Sequence, residues 1–161
     1  MSTRCQILFR SEDGTENGGV SYEEAQIYQH SDGYPEGVLP ELLEFYKWNV
    51  GENFDVPSSA ANFIYYEKRK MESYDSGEGK RFNFKTPKTD SFVRMEFGIE
   101  KTNHEIHGDE EYLYRITISD NSNWVVEIAD VEDEDTTFDN ANYKIKGDLQ
   151  EVEEKIERIQ K

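Results

Sequence analysis

The chain changes its pattern at the stretch QIYQHSDGYP, residues 26–35, which is followed closely by GVLP at residues 37–40. Apolar and polar residues alternate in the first half of the stretch, as in a half-buried β-strand, and Asp32-Gly33 is a turn signal. The prolines that follow open a pattern of helical period, because proline is tolerated in the first turn of a helix. We therefore expect a strand to end and a helix to begin within this turn segment (residues 26–35).

Two strands are expected at the start of the chain. In the first, Cys5, Ile7 and Phe9 alternate with polar residues, and a glycine-rich connection joins it to the second. The second covers residues 20–30, and a slip in its apolar phase predicts a β-bulge near residues 23–24. Cys5 is the single cysteine of the chain, and in such a strand we expect a buried structural thiol.

Two helices are expected after the turn segment, and a third should close the chain. The first helix should end before Gly51, where its apolar spacing stops. Residues 57–59 predict the start of the second helix, with a serine as its N-cap. The third helix, of about three turns, is predicted because Asp148 and Glu151 stand at capping-box spacing.

Three further strands are predicted by alternating apolar residues in the second half of the chain. They lie at residues 93–99, 112–118 and 124–129. The element order β-β-α-α-β-β-β-α predicts an α+β fold with a single antiparallel sheet of about five strands, and with helices packed on one face. No long linker and no repeat of fixed period divides the chain. Residues 1–161 should therefore form one domain.

The balance of charge limits the classes of partner. The formal net charge is −17 over 161 residues, and the sequence pI is about 4.5. Duplex nucleic acid and anionic lipid both require a cationic surface, so we expect no direct binding to nucleic acid and none to membranes. A basic protein is the expected partner, and no motif indicates a cofactor. The first residues lack an apolar stretch of signal-peptide length, and no window is apolar enough to span a membrane, which predicts a cytoplasmic protein.

The turn segment also brings together side chains that could form a binding or hydrolytic site. A carboxylate such as Asp32 can orient His30 for acid–base chemistry near neutral pH, with Tyr34 as a donor and Arg4 as a cation from the neighbouring strand. The alternative is structural: Asp32 forms an Asx-turn before Gly33, and Tyr34 packs over the following helix. Arg4, His30, Asp32 and Tyr34 are the candidate ligand-binding residues. No catalytic residue is assigned, and a binding protein is expected rather than an enzyme.

Two other clusters carry residue types that bind metals. His104 and His107 flank Glu105, with Asp109 nearby, but zinc usually takes three or four protein ligands, so a solvated hairpin tip is the favoured interpretation. Residues 130–139 place carboxylates at alternating positions, as in a calcium loop. The glycine and the flanking helices of an EF-hand are missing, however, and no metal site is predicted.

Carboxylates are concentrated in the second half of the chain. A solvated surface is the plain interpretation, because net charge alone says little about specific function. A rigid array of carboxylates could also occupy the cationic groove of a nucleic-acid-binding host protein, as a mimic of nucleic acid or an inhibitor. The residues of this predicted acidic surface are Asp109, Glu110, Glu111, Asp130, Glu132, Asp133, Glu134, Asp135 and Asp139.

Two motifs together resemble a group of small proteins encoded in bacteriophage, prophage and archaeal genomes. They are STRCQI at residues 2–7 and YxHxDGYP at residues 28–35, and the resemblance extends through residue 40. It implies a cytoplasmic prokaryotic or viral setting, and it directs attention to the four candidate residues of the turn segment and first strand. It brings no activity and no catalytic residue.

Three hypotheses of function follow from these observations. The first is a non-enzymatic acidic interaction protein, encoded by a mobile element or virus, that binds a basic partner. The second is a small-molecule-binding or hydrolytic domain with its site at His30, Asp32 and Tyr34. The third is an acidic domain adapted to a high-salt cytoplasm. Added salt should weaken binding under the first hypothesis and raise stability under the third, whereas His30→Ala should abolish only a ligand site.

Overall fold

The computed structural model describes residues 3–14, 20–49, 56–75, 97–100, 106, 109–119 and 123–159. Its strands and helices are, in chain order, β1 (Cys5–Gly14), β2 (Val20–Gln29), α1 (Pro35–Asn49), α2 (Val56–Asp75), β3 (Phe97–Glu100), β4 (Tyr112–Ile118), β5 (Trp124–Asp130), β6 (Ile145–Asp148) and α3 (Leu149–Ile159). The α+β class and the order of the elements are confirmed, with one additional strand, β6, before the closing helix.

Six strands form one mixed sheet in the order β3-β2-β1-β4-β5-β6. Neighbouring strands are antiparallel except for the central pair, because β1 and β4 run parallel, with Cys5 opposite Tyr112 and Ser11 opposite Ile118. The expectation of a purely antiparallel sheet is therefore wrong. Alternation along a strand tells which face a side chain occupies but not the direction of the neighbouring strand, and a long crossover that contains helices permits a parallel pair.

The strand that the pattern did not predict, β6, forms one edge of the sheet. It has only 4 residues, and it contains Gly147, a residue type that is depleted in strands. The strand runs directly into α3. From that helix, Lys155 Nζ donates a hydrogen bond of 2.7 Å to the carbonyl oxygen of Lys146. The shortness of β6 and the occupied carbonyl of Lys146 both limit pairing of this edge with another chain.

The helices pack on one face of the sheet, as expected, and enclose the main apolar core. The strands contribute Cys5, Ile7, Phe9, Ile27, Tyr114, Ile116, Trp124, Val126 and Ile128. The helices contribute Val38, Leu39, Leu42, Phe45, Val56, Ala60, Phe63, Leu149 and Val152. The ring of Phe45 joins the two layers, because its centroid lies 5.4 Å from that of Phe63 on α2 and 5.8 Å from that of Trp124 on the sheet. Cys5 is completely buried here, as expected.

Residues 131–144 cover part of the opposite face of the sheet. Phe138 from this segment packs on Leu8 and Leu113 to form a second, smaller core. Arg115 and Tyr143 connect the segment to the sheet, because the guanidinium lies 3.9 Å from the centre of the tyrosine ring and Nη1 donates a hydrogen bond to the carbonyl of Phe138. The sequence did not predict this packed segment, although its carboxylates at positions 132–135 and 139 are exposed, as in the solvated loop that the sequence favoured.

The turn segment is confirmed as the junction between a strand and a helix. Asp32 has a left-handed backbone, with φ of 54°, which Asp tolerates better than most residues. The amide of Gly33 donates a hydrogen bond of 3.0 Å to the carbonyl of Thr3. In return, the buried hydroxyl of Tyr114 donates a hydrogen bond of 2.8 Å to the carbonyl of Gly33. The turn is thereby held against both central strands.

Three local expectations can be compared with the structure. The register of β1 and β2 is continuous, so the expected bulge near residues 23–24 is wrong. Helix α2 begins at Val56, so the serines lie in its first turn and not at the N-cap. The capping box of α3 is confirmed, because Glu151 N donates to Asp148 Oδ1 over 2.8 Å and Asp148 N donates to Glu151 Oε2 over 3.3 Å. Of the strand expected at residues 93–99, residues 93–96 lie outside the described part of the chain.

Gly33→Ala should destabilise the fold because a methyl group has no room at the turn. A Cβ atom at this position would lie 2.7 Å from the backbone carbon of Arg4 and 2.8 Å from the backbone nitrogen of Cys5. Neither atom moves without displacing the start of β1. We expect a loss of roughly 2 kcal/mol or more in the free energy of unfolding, measured by urea denaturation.

Gly147→Ala is the matched control. Its Cβ would lie 2.7 Å from Glu151 Oε2 and 3.1 Å from Glu151 Cβ. The carboxylate can rotate away by giving up its hydrogen bond of 3.3 Å from Asp148 N. We expect a loss below about 1 kcal/mol. Equal losses for the two alanine variants would contradict the assignment of Gly33 as the point where the turn contacts β1.

Candidate acidic interaction surface

One end of the sheet carries the turn segment together with part of the predicted acidic surface, namely residues 109–111 and Asp130. Cys5 at the start of β1 lies opposite Gln29 at the end of β2 and opposite Tyr112 at the start of β4. Tyr112 in turn lies opposite Asp130 at the end of β5. The segments just beyond these four strand ends are therefore neighbours, although they are far apart in sequence. We call this end of the sheet, with the start of α1, the acidic end.

The four candidate residues of the turn lie at the acidic end but form separate contacts. Arg4 makes an ion pair with Asp109. A partner of His30 is Tyr28, whose hydroxyl lies 2.8 Å from His30 Nδ1. Tyr28 belongs to the YxHxDGYP motif, but the sequence did not single it out as a candidate residue. Tyr34 is 39% exposed, and its hydroxyl is hydrogen-bonded to Asp32.

The electrostatic environment of Tyr34 is negative. The charge of Asp32 is the largest cause that raises the pKa of the Tyr34 hydroxyl, followed by desolvation, the hydrogen bond to Asp32, and the charges of Glu36 and Glu41. The hydroxyl therefore remains protonated and serves as a donor to Asp32. An exposed phenol ring beside carboxylates can bind a cationic side chain, because a cation is attracted both to acids and to the face of an aromatic ring.

Eight of the nine predicted acidic-surface residues are exposed, and one is not. Asp109, Glu111, Asp130, Glu132, Asp133, Glu134, Asp135 and Asp139 are exposed. The prediction that Glu110 belongs to this surface is wrong, because Glu110 is only 5% exposed. The backbone of the next residue continues the sheet on both sides, with Glu111 N donating to Arg4 O and Val131 N donating to Glu111 O. This ladder draws Glu110 into the packed part of the molecule.

Glu36 connects the turn segment to the other acidic residues, and the sequence did not single it out. Burial is the largest cause that raises the pKa of Tyr112, followed by the charges of Asp130, Glu36 and Glu111. Glu36 thus acts on Tyr112 as well as on Tyr34. It is the acidic residue in the first turn of α1, a position that normally indicates only a favourable interaction with the helix dipole. That position alone therefore gives no reason to expect Glu36 in an interaction surface.

Two cations partly offset the negative charge of this end. Besides Arg4, Lys144 lies 2.8 Å from Asp130 and 3.5 Å from Glu132. The hydrogen bond to Asp130 is the largest cause that raises the pKa of Lys144. Lys144 is about half exposed in these pairs, and solvent screens exposed pairs of this kind, so they contribute little to stability. Among the described residues, carboxylates remain in excess here.

Hydrogen bonds hold the exposed carboxylates of residues 131–144 in position. Asp133 Oδ1 accepts hydrogen bonds from the amide of Asp135 and from the hydroxyl of Thr136, both over 3.1 Å. Asn140 continues this network, because its Nδ2 donates to the carbonyl of Asp135 over 2.9 Å. The negative charges are thus displayed from an ordered backbone.

Arg115 has a structural role on the face of the sheet that residues 131–144 cover. Its Nε lies 2.6 Å from Glu127 Oε2, and Lys146 Nζ lies 3.0 Å from Glu127 Oε1. Burial alone would raise the pKa of Glu127, but the hydrogen bonds from Arg115 and Lys146 outweigh it and lower the pKa. This group ties together β4, β5 and β6 beneath residues 131–144.

The structure describes only some of the residues that could bind a metal ion. His104, Glu105 and His107 lie outside the described residues. Within the described ranges, no group of three or more His, Cys, Asp or Glu side chains is placed to hold a metal ion.

In the same part of the chain, no helix has the length and apolar character needed to span a membrane.

No protein-family model matches the sequence, and no match was found among curated proteins or solved structures. The geometry of the acidic end is therefore the basis for assigning a function.

Asp133→Ala should release the acidic part of residues 131–144. The substitution removes the acceptor that Asp135 N and Thr136 Oγ1 share. Each such hydrogen bond contributes about 1 kcal/mol, so the loss of both should make amide exchange in residues 133–137 at least roughly fivefold faster. Hydrogen–deuterium exchange with mass spectrometry measures this change.

Glu134→Ala removes the same charge from the neighbouring position. Glu134 is exposed and makes no hydrogen bond or ion pair with the described residues. Exchange should remain as in the natural sequence. If both alanine variants exchanged alike, the network around Asp133 would not be what orders the segment.

Proposed function

We propose that this protein is a non-enzymatic interaction protein that binds a basic protein partner through its acidic end. The observation that supports the proposal is the convergence of the turn segment, residues 109–111 and Asp130 at one end of the sheet. The sequence presented the turn and the acidic run as competing candidates for the site. Their proximity allows them to act as one surface.

Three properties of this surface favour a cationic protein as its partner. The carboxylates lie on backbone held by the sheet and by the hydrogen bonds of residues 131–144, so little conformational entropy is lost on binding. Tyr34 adds an exposed aromatic ring, and tyrosine is enriched at protein interfaces. The net charge of −17 over the whole chain would also speed the encounter with a basic partner.

Nucleic-acid-binding proteins are one class of basic partner that fits. Their grooves are lined with cations that neutralise closely spaced phosphates. An ordered display of carboxylates could occupy such a groove and displace the nucleic acid. Under this form of the proposal the protein acts as an inhibitor of its partner.

The proposal is tested with a triple variant of the acidic end, Asp32→Asn, Glu36→Gln and Glu111→Gln. Asparagine is chosen for position 32 because it also tolerates the left-handed backbone found there. Binding to protamine, used as a basic protein probe, is measured by titration calorimetry at low and at physiological salt. We expect the variant to bind at least about tenfold more weakly, equivalent to about 1.4 kcal/mol, with a smaller dependence on salt.

A second triple variant provides the matched control. Glu23→Gln, Glu44→Gln and Glu154→Gln remove the same number of negative charges at exposed positions of β2, α1 and α3. This variant should retain most of the affinity. Equal losses in the two variants would mean that the probe senses only net charge, and the assignment of the acidic end would fall.

The same measurements bear on the competing hypotheses. His30→Ala should leave binding of protamine unchanged if the acidic end acts through charge, whereas a small-molecule site around His30, Asp32 and Tyr34 would require the imidazole. If added salt raised the stability of the fold and protamine bound neither variant differently, adaptation to high salt would be the better explanation.

A further inference from the structure

Helix α2 buries a carboxyl group on the stripe of residues that packs against the rest of the molecule. Val56, Ala60 and Phe63 are buried on this stripe, and Glu67 follows at the next helical position. Glu67 is only 2% exposed. Its Oε1 atom is enclosed and accepts no hydrogen bond from any residue that the structure describes. A carboxylate in such a position loses its hydration without full compensation.

The charged groups that face Glu67 come from α1 and from α2 itself. Helix α1 contributes Glu41, whose Oε2 is also enclosed, and Glu44. Helix α2 contributes Lys70, but Lys70 Nζ lies 2.8 Å from Glu44 Oε2 and is shared with that carboxylate. Lys70 therefore offsets only in part the effect that burial and the charges of Glu41 and Glu44 have on Glu67.

The sheet beneath α2 offers little charge to Glu67. Strands β1 and β2 turn the apolar residues Phe9, Ala25 and Ile27 toward the helices, and Glu23, further along β2, is exposed. Within the described residues, no other cation from the sheet is identified as acting on Glu67. Ionisation of Glu67 would thus place a negative charge beside those of Glu41 and Glu44, over apolar residues of the sheet.

We propose that Glu67 makes the packing of α1 against α2 sensitive to pH: protonated Glu67 allows the two helices to close over the core, and ionised Glu67 loosens them. Loosening relieves both the desolvation of Glu67 and its repulsion from Glu41 and Glu44. This property concerns the seam between the helices and is independent of the acidic end.

The direction of the titration supports this assignment. Burial, and after it the charge of Glu41, raise the pKa of Glu67 from the ordinary 4.5 to about 8, and Lys70 opposes the shift only in part. The closed seam therefore holds a proton that the open or unfolded chain releases. Stability falls as pH rises from 4.5 toward about 8 and changes no further above that pKa, since both states are then ionised.

The test compares the natural sequence with Glu67→Gln, which keeps the shape of the side chain and cannot ionise. Urea unfolding is followed from about pH 5 to about pH 9, together with amide exchange in α1, α2 and α3. Relative to the glutamine variant, we expect the unfolding equilibrium constant of the natural chain to rise by up to about tenfold per pH unit until it levels off near the raised pKa. Exchange should accelerate in α1 and α2 before it does in α3.

Two further variants keep the test decisive if Glu67→Gln fails to fold. Glu41→Gln removes the main repelling charge, so the pH at which the change levels off should move down; if it stays in place, the proposal is overturned. Glu154→Gln on α3, an exposed control that pairs with Arg158, should not move it. Identical pH profiles for the natural chain and Glu67→Gln would also overturn the proposal.

Discussion

The fold depends on the contact between the turn at Gly33 and the two central strands. The hydroxyl of Tyr114 is buried and donates its hydrogen bond to the carbonyl of Gly33, while the amide of Gly33 bonds to Thr3. A buried hydroxyl left without an acceptor costs about 1–3 kcal/mol. Burial is the main cause that raises the pKa of Tyr114 well above its usual value, so the hydroxyl keeps the proton that it donates. One turn thereby ties β1, β2 and β4 and sets where α1 begins.

The same contact explains why charge accumulates at one end of the molecule. Because β1 and β4 are parallel, both begin beside this turn, and the antiparallel β2 and β5 both end there. The residues that flank these four strand ends are rich in carboxylates. Gathering like charges disfavours folding, and the two cations here, Arg4 and Lys144, offset only part of that repulsion. The ordered backbone of residues 131–144 opposes the tendency of the carboxylates to move apart, and it preserves a display of charge that a flexible tail would lose.

A second, separate group of carboxyl side chains, Glu41, Glu44 and Glu67, lies in the seam between α1 and α2. Its aromatic part is well packed, because Phe45 contacts Phe63 and Tyr66 across the two helices. One turn further along, the apolar stripe of α2 is interrupted by Glu67. A leucine there would suit the packing better, so the carboxyl group is a local violation of the pattern that otherwise specifies the fold. Violations of this kind are where functional constraints on a sequence are expected.

Much of the fold was determined by the sequence alone, through patterns that act over short distances. The alternation of Cys5, Ile7 and Phe9, the turn at Asp32-Gly33, and the Asp148–Glu151 capping box each depend on neighbours within one strand or turn, and each was predicted correctly. Predictions failed where a residue's partner lies far away in the chain: the parallel pairing of β1 with β4, the covering layer built around Phe138, and the burial of Glu110. The four candidate residues of the turn and most of the acidic residues were identified from composition. That the turn shares one end of the sheet with residues 109–111 and Asp130 was decided only by the tertiary structure, because strand direction and crossover leave no local trace in the sequence.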